Sequence, residues 1–157
     1  MRTILNIAHR GYTREFPDNT LESCRAAIDL GVDAIEFDVH ETADHSFVVL
    51  HDDKLQGKYV ARLPLCDVQD IKRRECKIPT LEEALDLCRG RAKLLVELKQ
   101  VQSLERLLSI FGKIYLPEQP LAVGPSLKVS DFIVAWAIHI VHHKGIRAPF
   151  LELLASS

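Results

Sequence analysis

The feature that most constrains this chain is an alternation. Short apolar runs that end in polar residues take turns with stretches of helical periodicity. Residues 4–8 form the first run, which ends at His9 and Gly11. Leu21, Cys24, Ala27, Ile28 and Leu30 then recur at helical spacing, with Asn19 or Thr20 as the N-cap and Gly31 as a C′ glycine. Residues 34–39 predict a second strand, and 46–50 a further extended run that ends at His51 and Asp52. Residues 65–74 hold a short helix. Thr80 and Glu83 form a capping box that opens a helix running to about Arg89, where Gly90 ends it. Residues 93–98 are the third strand of the same type, ending in Glu97 and Lys99. Residues 104–111 predict a helix stopped at Gly112. The order is strand, helix, strand, helix, strand, helix. Strands apolar on both faces belong to a parallel sheet covered by helices.

Such repeating units suit a doubly wound sheet or a TIM barrel. His9, Glu36, Asp38 and Glu97 lie at the carboxyl ends of successive strands, where TIM-barrel enzymes place their chemistry. No GxGxxG or GxxxxGKS loop is present, which weakens the nucleotide-binding alternative. The expected fold is therefore α/β, of the TIM (β/α)8-barrel type. A full barrel takes about 250 residues, and this chain has 157. After residue 111 too few remain for the missing units at about 30 residues each. The barrel is thus expected to be incomplete, its first half clear and its later units missing or shortened. Residues 129–144 read as one apolar helix closed by Gly145. Residues 147–150 could begin a last strand, although Pro149 counts against a central one. One domain is expected over 1–157, with 113–157 divergent or truncated.

Composition narrows the function classes. Apolar residues make up 47% and charged residues 27%, ordinary for a globular protein. A net charge of -2 gives no footing for a nucleic-acid partner. Cys24, Cys66, Cys76 and Cys88 form no CxxC pair, so they read as reduced packing thiols and not as a zinc site. The apolar run at the start is too short for a signal peptide, and the run over 132–141 is far below membrane-spanning length. A cytoplasmic location without a transmembrane segment is the expectation.

Strand side chains alternate faces, so Glu36 and Asp38 point the same way, as do Glu97 and Lys99. Three carboxylates in one sheet mouth repel and lose hydration unless a cation joins them. Oxygen ligands of this kind suit Mg²⁺ or Ca²⁺. The bland alternative is three solvated acids at strand ends. His9 and His51 can exchange protons near neutral pH. Of the seven histidines, His40, His45, His139, His142 and His143 read as surface or core residues. Arg10 and Lys99 could hold phosphate oxygens or could simply balance the acids. Asn19 could orient a ligand or a histidine, or only cap a helix. Asp52 could orient His51, or be an exposed turn residue.

Taken in order, the motifs are His9-Arg10-Gly11, Pro17-Asp18-Asn19-Thr20, Ile35-Glu36-Phe37-Asp38-Val39, His51-Asp52, Ile78-Pro79-Thr80-Leu81-Glu82-Glu83 and Glu97-Leu98-Lys99. Over about residues 5–100 this set resembles the glycerophosphodiester phosphodiesterase family. Asp18 stands where that pattern has Glu, and the family's aromatic-x-Asn strand is not visible. The resemblance implies a TIM-barrel hydrolase that cuts a small-molecule glycerophosphodiester to glycerol 3-phosphate and an alcohol. It implies Glu36, Asp38 and Glu97 as ligands of one divalent cation, Mg²⁺ or Ca²⁺. It further implies His9 and His51 as acid and base, with Arg10 and Lys99 near the phosphate. Two alternatives stand beside it. One is a catalytically inactive fragment or pseudo-enzyme that needs a partner chain, since an open barrel edge favours self-association. The other is a sphingomyelinase D-like lipid phosphodiesterase, although that group is secreted and disulfide-bonded.

Overall fold

The structure, a computed structural model, describes residues 5–115 and the pair 132–133. Its elements in chain order are β1 (Ile7–His9), α1 (Leu21–Asp29), β2 (Ala34–Glu41), β3 (Phe47–Val49), β4 (Lys54–Leu55) and β5 (Lys58–Tyr59). After a 3-10 turn at Val60–Arg62 come α2 (Leu65–Gln69), β6 (Lys72–Arg73), β7 (Cys76–Lys77) and α3 (Leu81–Cys88). The last are β8 (Lys93–Gln100), α4 (Leu104–Tyr115) and β9 (Phe132–Ile133).

The main sheet runs β1-β2-β8-β9, all parallel, with β3 antiparallel to the end of β2. The strand–helix alternation of the sequence is therefore realised as parallel crossovers. Registers of Ile7 with Ala34 and of Asp38 with Glu97 bring the carboxyl ends of β1, β2 and β8 to one side. The β2–β8 register shifts between Val39 and His40.

Local signals account for most boundaries. Thr20, not Asn19, caps α1: its hydroxyl accepts from the Ser23 amide, while the Ser23 hydroxyl accepts from the Thr20 amide. The same reciprocal pair, Thr80 with Glu83, opens α3. The short helix expected over 65–74 ends at Gln69, because Lys72 and Arg73 instead pair with Lys77 and Cys76 in a hairpin. Gly112 does not stop α4, which runs on to Tyr115. A helix-interior glycine costs about 1 kcal/mol, too little to end an amphipathic helix already packed on α3. The expected helix over 129–144 is corrected at Phe132–Ile133, which pair with Leu94 and Leu95 as a strand. A short apolar run carries no period that separates the two states, and both residue types favour strands. The rest of that segment and the strand expected over 147–150 lie outside the described residues.

Two cores form. The larger joins Ile35, Phe37 and Val39 of β2 to α1, α3, β8 and Leu107 of α4. The smaller gathers Val48, Leu50, Leu55, Val60, Leu63, Val68 and Ile78 beneath the irregular segment 51–78. Each large side chain fully buried in either contributes about 1.5–3 kcal/mol. Cys24, Cys76 and Cys88 are buried packing residues, Cys66 is exposed, and all four are free thiols. Among the described residues no helix is long and apolar enough to cross a membrane.

Candidate functional site

The site begins where β1 ends. Arg10 adopts a left-handed backbone (φ 59) and donates its amide to the Glu36 carbonyl at 2.8 Å. Gly11 follows at φ +83, and a Cβ there would lie 2.5 Å from Ser23 Oγ and 2.7 Å from the Ser23 carbonyl carbon. Only glycine lets this loop rest on the first turn of α1. The loop returns at Asn19, also left-handed (φ 57), whose amide donates to the Arg10 carbonyl at 3.0 Å. Such conformations cost energy and persist only where the surroundings over-determine them.

Around Asp38 the charges converge. Asp38 is fully buried. Its Oδ2 accepts from Asn19 Nδ2 at 2.9 Å, and its amide donates to Asn19 Oδ1 at 3.2 Å. Arg10 Nε lies 3.1 Å from Oδ2, and Lys99 Nζ lies 3.1 Å from Oδ1. Lys99 also donates to Glu97 Oε1 at 2.6 Å. Both candidate phosphate cations therefore rest against Asp38 and balance its charge. Burial pushes the Asp38 carboxyl up, but the Asn19 amide and the Lys99 and Arg10 cations outweigh it and hold it below the usual carboxylate range. Burial lowers Lys99, yet Glu97 and Asp38 outweigh it and raise the ammonium's value. Glu36 goes the other way: burial and the Asp38 charge push it up, against the pull of His9.

One carboxylate oxygen each from Glu36, Asp38 and Glu97 lie within 4.8 Å of one another. Glu36 Oε2 is buried without a hydrogen bond among the described residues, with His9 Nε2 at 3.8 Å, and the buried Asp38 Oδ1 has Lys99 Nζ at 3.1 Å as its ion-pair partner. Three carboxylates face two permanent cations. Such an all-oxygen donor set, with the buried Glu36 Oε2 lacking a hydrogen bond, fits a hard divalent cation.

His9 sits on the rim, largely exposed, with Nε2 3.8 Å from Glu36 Oε2. His51 is also partly exposed, and its Nδ1 pairs with Asp52 Oδ1 at 2.9 Å. Asp52 is thus both an exposed turn residue and the partner of His51. His40 is a core residue. Its Nε2 meets the His51 carbonyl at 3.1 Å, and since a carbonyl only accepts, that nitrogen carries the proton. Burial pushes its basicity down. His45 lies on the surface and pairs with Glu41 at 2.7 Å. His139, His142 and His143 fall outside the described residues.

Two contributors were not legible as such. Asn19 anchors the Asp38 carboxylate instead of capping a helix; its left-handed loop position is a tertiary property. Asp18 binds Arg73, 55 positions away: its Oδ1 accepts from Nη2 at 2.6 Å and its carbonyl from Nη1 at 2.8 Å.

Comparison with known proteins identifies the family and the fold. Residues 9–114 match the glycerophosphoryl diester phosphodiesterase family. A glycerophosphodiester phosphodiesterase of Bacillus altitudinis is 28% identical over 94% of this chain and 61% of its own length. A crystal structure of a glycerophosphodiester phosphodiesterase from Agrobacterium tumefaciens superposes with a TM-score of 0.64 at 27% identity, covering 71% of this chain and 54% of that one. An Oleispira antarctica phosphodiesterase, solved in complex with the product sn-glycerol-3-phosphate, superposes at 0.62 with 27% identity, covering 74% and 53%. The chain spans about half the length of the relatives it matches. The sheet accordingly corresponds to part of the barrel of these enzymes. With the family match over residues 9–114 and the parallel sheet shared with these structures, the chain belongs to the glycerophosphoryl diester phosphodiesterase family.

Proposed function

We propose that this chain hydrolyses glycerophosphodiesters to glycerol 3-phosphate and an alcohol. The observation that carries the reading is the meeting of one carboxylate oxygen each from Glu36, Asp38 and Glu97 within 4.8 Å, beside the cations Arg10 and Lys99. Glu36, Asp38 and Glu97 would hold one divalent cation, Mg²⁺ or Ca²⁺. When bound, it supplies Lewis-acid polarisation of the phosphoryl oxygens.

The chain's own residues supply the rest. Arg10 and Lys99 orient the phosphoryl group and stabilise charge on it. One of His9 and His51 removes the proton from the attacking hydroxyl or water as its oxygen bonds to phosphorus. The other protonates the alkoxide as the phosphorus–oxygen bond to the alcohol breaks. Asp52 engages His51 Nδ1, which leaves Nε2 to exchange the proton. Asn19 keeps Asp38 in place while charge moves around it.

The reading extends to setting. Four free thiols support a reducing, cytoplasmic location. Ile7, the first residue of the edge strand β1, and Leu5 just before it are exposed and support self-association through an open edge. Gel filtration at two concentrations tests the latter.

The direct test is glycerol 3-phosphate release from glycerophosphocholine with divalent metal and then with chelator, beside the Glu36→Ala and His51→Ala variants. Metal-dependent release lost in both variants is expected. Soluble, folded, metal-supplied protein that releases nothing would instead identify a fragment that keeps the residues without the activity.

A further inference from the structure

Beyond Asp18 lies a cleft of about 250 Å³ lined by Thr13, Phe16, Pro17, Asp18, Arg73 and Arg74. Asp18 belongs to two places at once. Its Oδ2 stands 3.9 Å from Arg10 Nη1, in the site, while Oδ1 and the carbonyl take both ends of the Arg73 guanidinium. The cleft is therefore one side chain away from the residue proposed to hold phosphate. Its charge is unbalanced. Asp18 is shared by Arg10 and Arg73, and Arg73 is fully committed to it. Arg74 makes no ion pair or hydrogen bond among the described residues. The adjacent Glu75 lies 3.8 Å from Lys72 instead. Arg74 and Glu75, at φ 47 and 67, form the left-handed turn between β6 and β7 that carries Arg74 to the cleft.

We propose that this cleft receives the alcohol end of the diester, and that Arg74 selects head groups bearing a carboxylate over those bearing a quaternary ammonium. The inference rests on the phosphodiesterase reading above. With the phosphoryl group at Arg10, the diester's second arm must leave the mouth, and the Arg10–Asp18 contact joins the mouth to the cleft. Phe16 and Pro17 give the arm an apolar wall. The volume lies at the small end for a ligand site, which suits a head group and not an acyl chain. An aromatic wall alone would favour an ammonium, but two guanidiniums against one shared carboxylate oppose it.

The test compares kcat/KM for glycerophosphoserine and glycerophosphocholine in the full chain, its Arg74→Gln variant and its Arg74→Glu variant. The natural chain is expected to favour the serine diester about fivefold, the size of one solvent-exposed ion pair. Gln erases the preference and Glu inverts it, through KM and not kcat, and high salt shrinks it. Equal ratios in all three proteins overturn the assignment. Release from neither diester by folded, metal-supplied protein removes the phosphodiesterase reading instead. The cleft is then read by calorimetric binding of phosphoserine against phosphocholine, where equal or absent binding overturns it.

Discussion

The sheet with its helices and the segment 51–78 are built on opposite plans. In the sheet, β2 and β8 are eight residues each, and one core ties them to α1, α3 and α4. In segment 51–78 the strands are two residues long, and a separate small core lies beneath them. Glu36 and Asp38 lie within β2, which runs on to Glu41. Glu97 and Lys99 lie in the second half of β8, and Arg10 directly follows β1. The charged cluster thus sits across neighbouring strands of the first region and not at their last residues. The second region contributes His51, whose carbonyl meets His40 of β2, and Arg73 and Arg74, which gather beside Asp18. The difference sets the three carboxylates on long, well-packed strands and leaves His51, Arg73 and Arg74 on a segment held by a smaller core of its own, an arrangement that suits precise placement of the carboxylates.

The comparison breaks most sharply at Asp38. Asp38→Asn leaves volume and most packing intact but removes the charge that Arg10 and Lys99 share. Glycerol 3-phosphate release should fall about a thousandfold, the scale of losing a central electrostatic group, while urea unfolding remains cooperative. Retained activity would detach the chemistry from the sheet.

Next come the cores. Leu81→Ala, in the larger core and fully buried, should cost about 4 kcal/mol in urea unfolding. Glu41 gives a pH handle on the same region. Its carboxylate accepts the Gln102 and Ser103 amides at 2.5 and 2.8 Å, just before α4, and pairs with His45. Burial raises its pKa, but these partners outweigh it and bring the group from 4.5 down to about 2. A folded value below the unfolded one means the contribution is full above pH 4.5 and disappears as pH falls toward 2. A depression of that size, from 4.5 to about 2, corresponds to about 3 kcal/mol at neutral pH. Glu41→Gln should lose about that much at pH 7 and flatten the acid limb of a stability–pH curve.

The smallest effect belongs to segment 51–78. Val68→Ala, buried in the smaller core, should cost about 2 kcal/mol. Hydrogen exchange should then show 51–78 opening before the sheet. Simultaneous opening of both regions would make them one cooperative unit and end the contrast.

Legibility in the sequence follows the same division. His9, Glu36, Asp38 and Glu97 could be assigned to strands because each stands in or after an apolar run, yet only His9 ends its strand: β2 continues past Asp38 to Glu41 and β8 past Glu97 to Gln100. The capping box at Thr80 could be placed because both partners lie within one turn. The hairpins at 54–59 and 72–77 could not, since two-residue strands carry no alternation. The Asp18–Arg73 pair depends on how segment 51–78 folds back over 55 positions. Asn19 stood in a recognisable loop, yet its role depends on a positive φ set by packing against Asp38. Gly112 shows the converse error, a local stop signal overridden by the packing of α4.

If Glu36, Asp38 and Glu97 act together as one cation site, removing one carboxylate must weaken the binding of the ion itself. Calorimetric titration of Mg²⁺ and of Ca²⁺ into the full chain, beside Glu36→Gln and Glu97→Gln, tests it without requiring turnover. The account predicts one saturable site per chain, with binding to either variant weakened by at least about tenfold, the loss typical of disturbing a metal's coordination. No binding to the natural chain, or binding that survives unchanged in both variants, would contradict it.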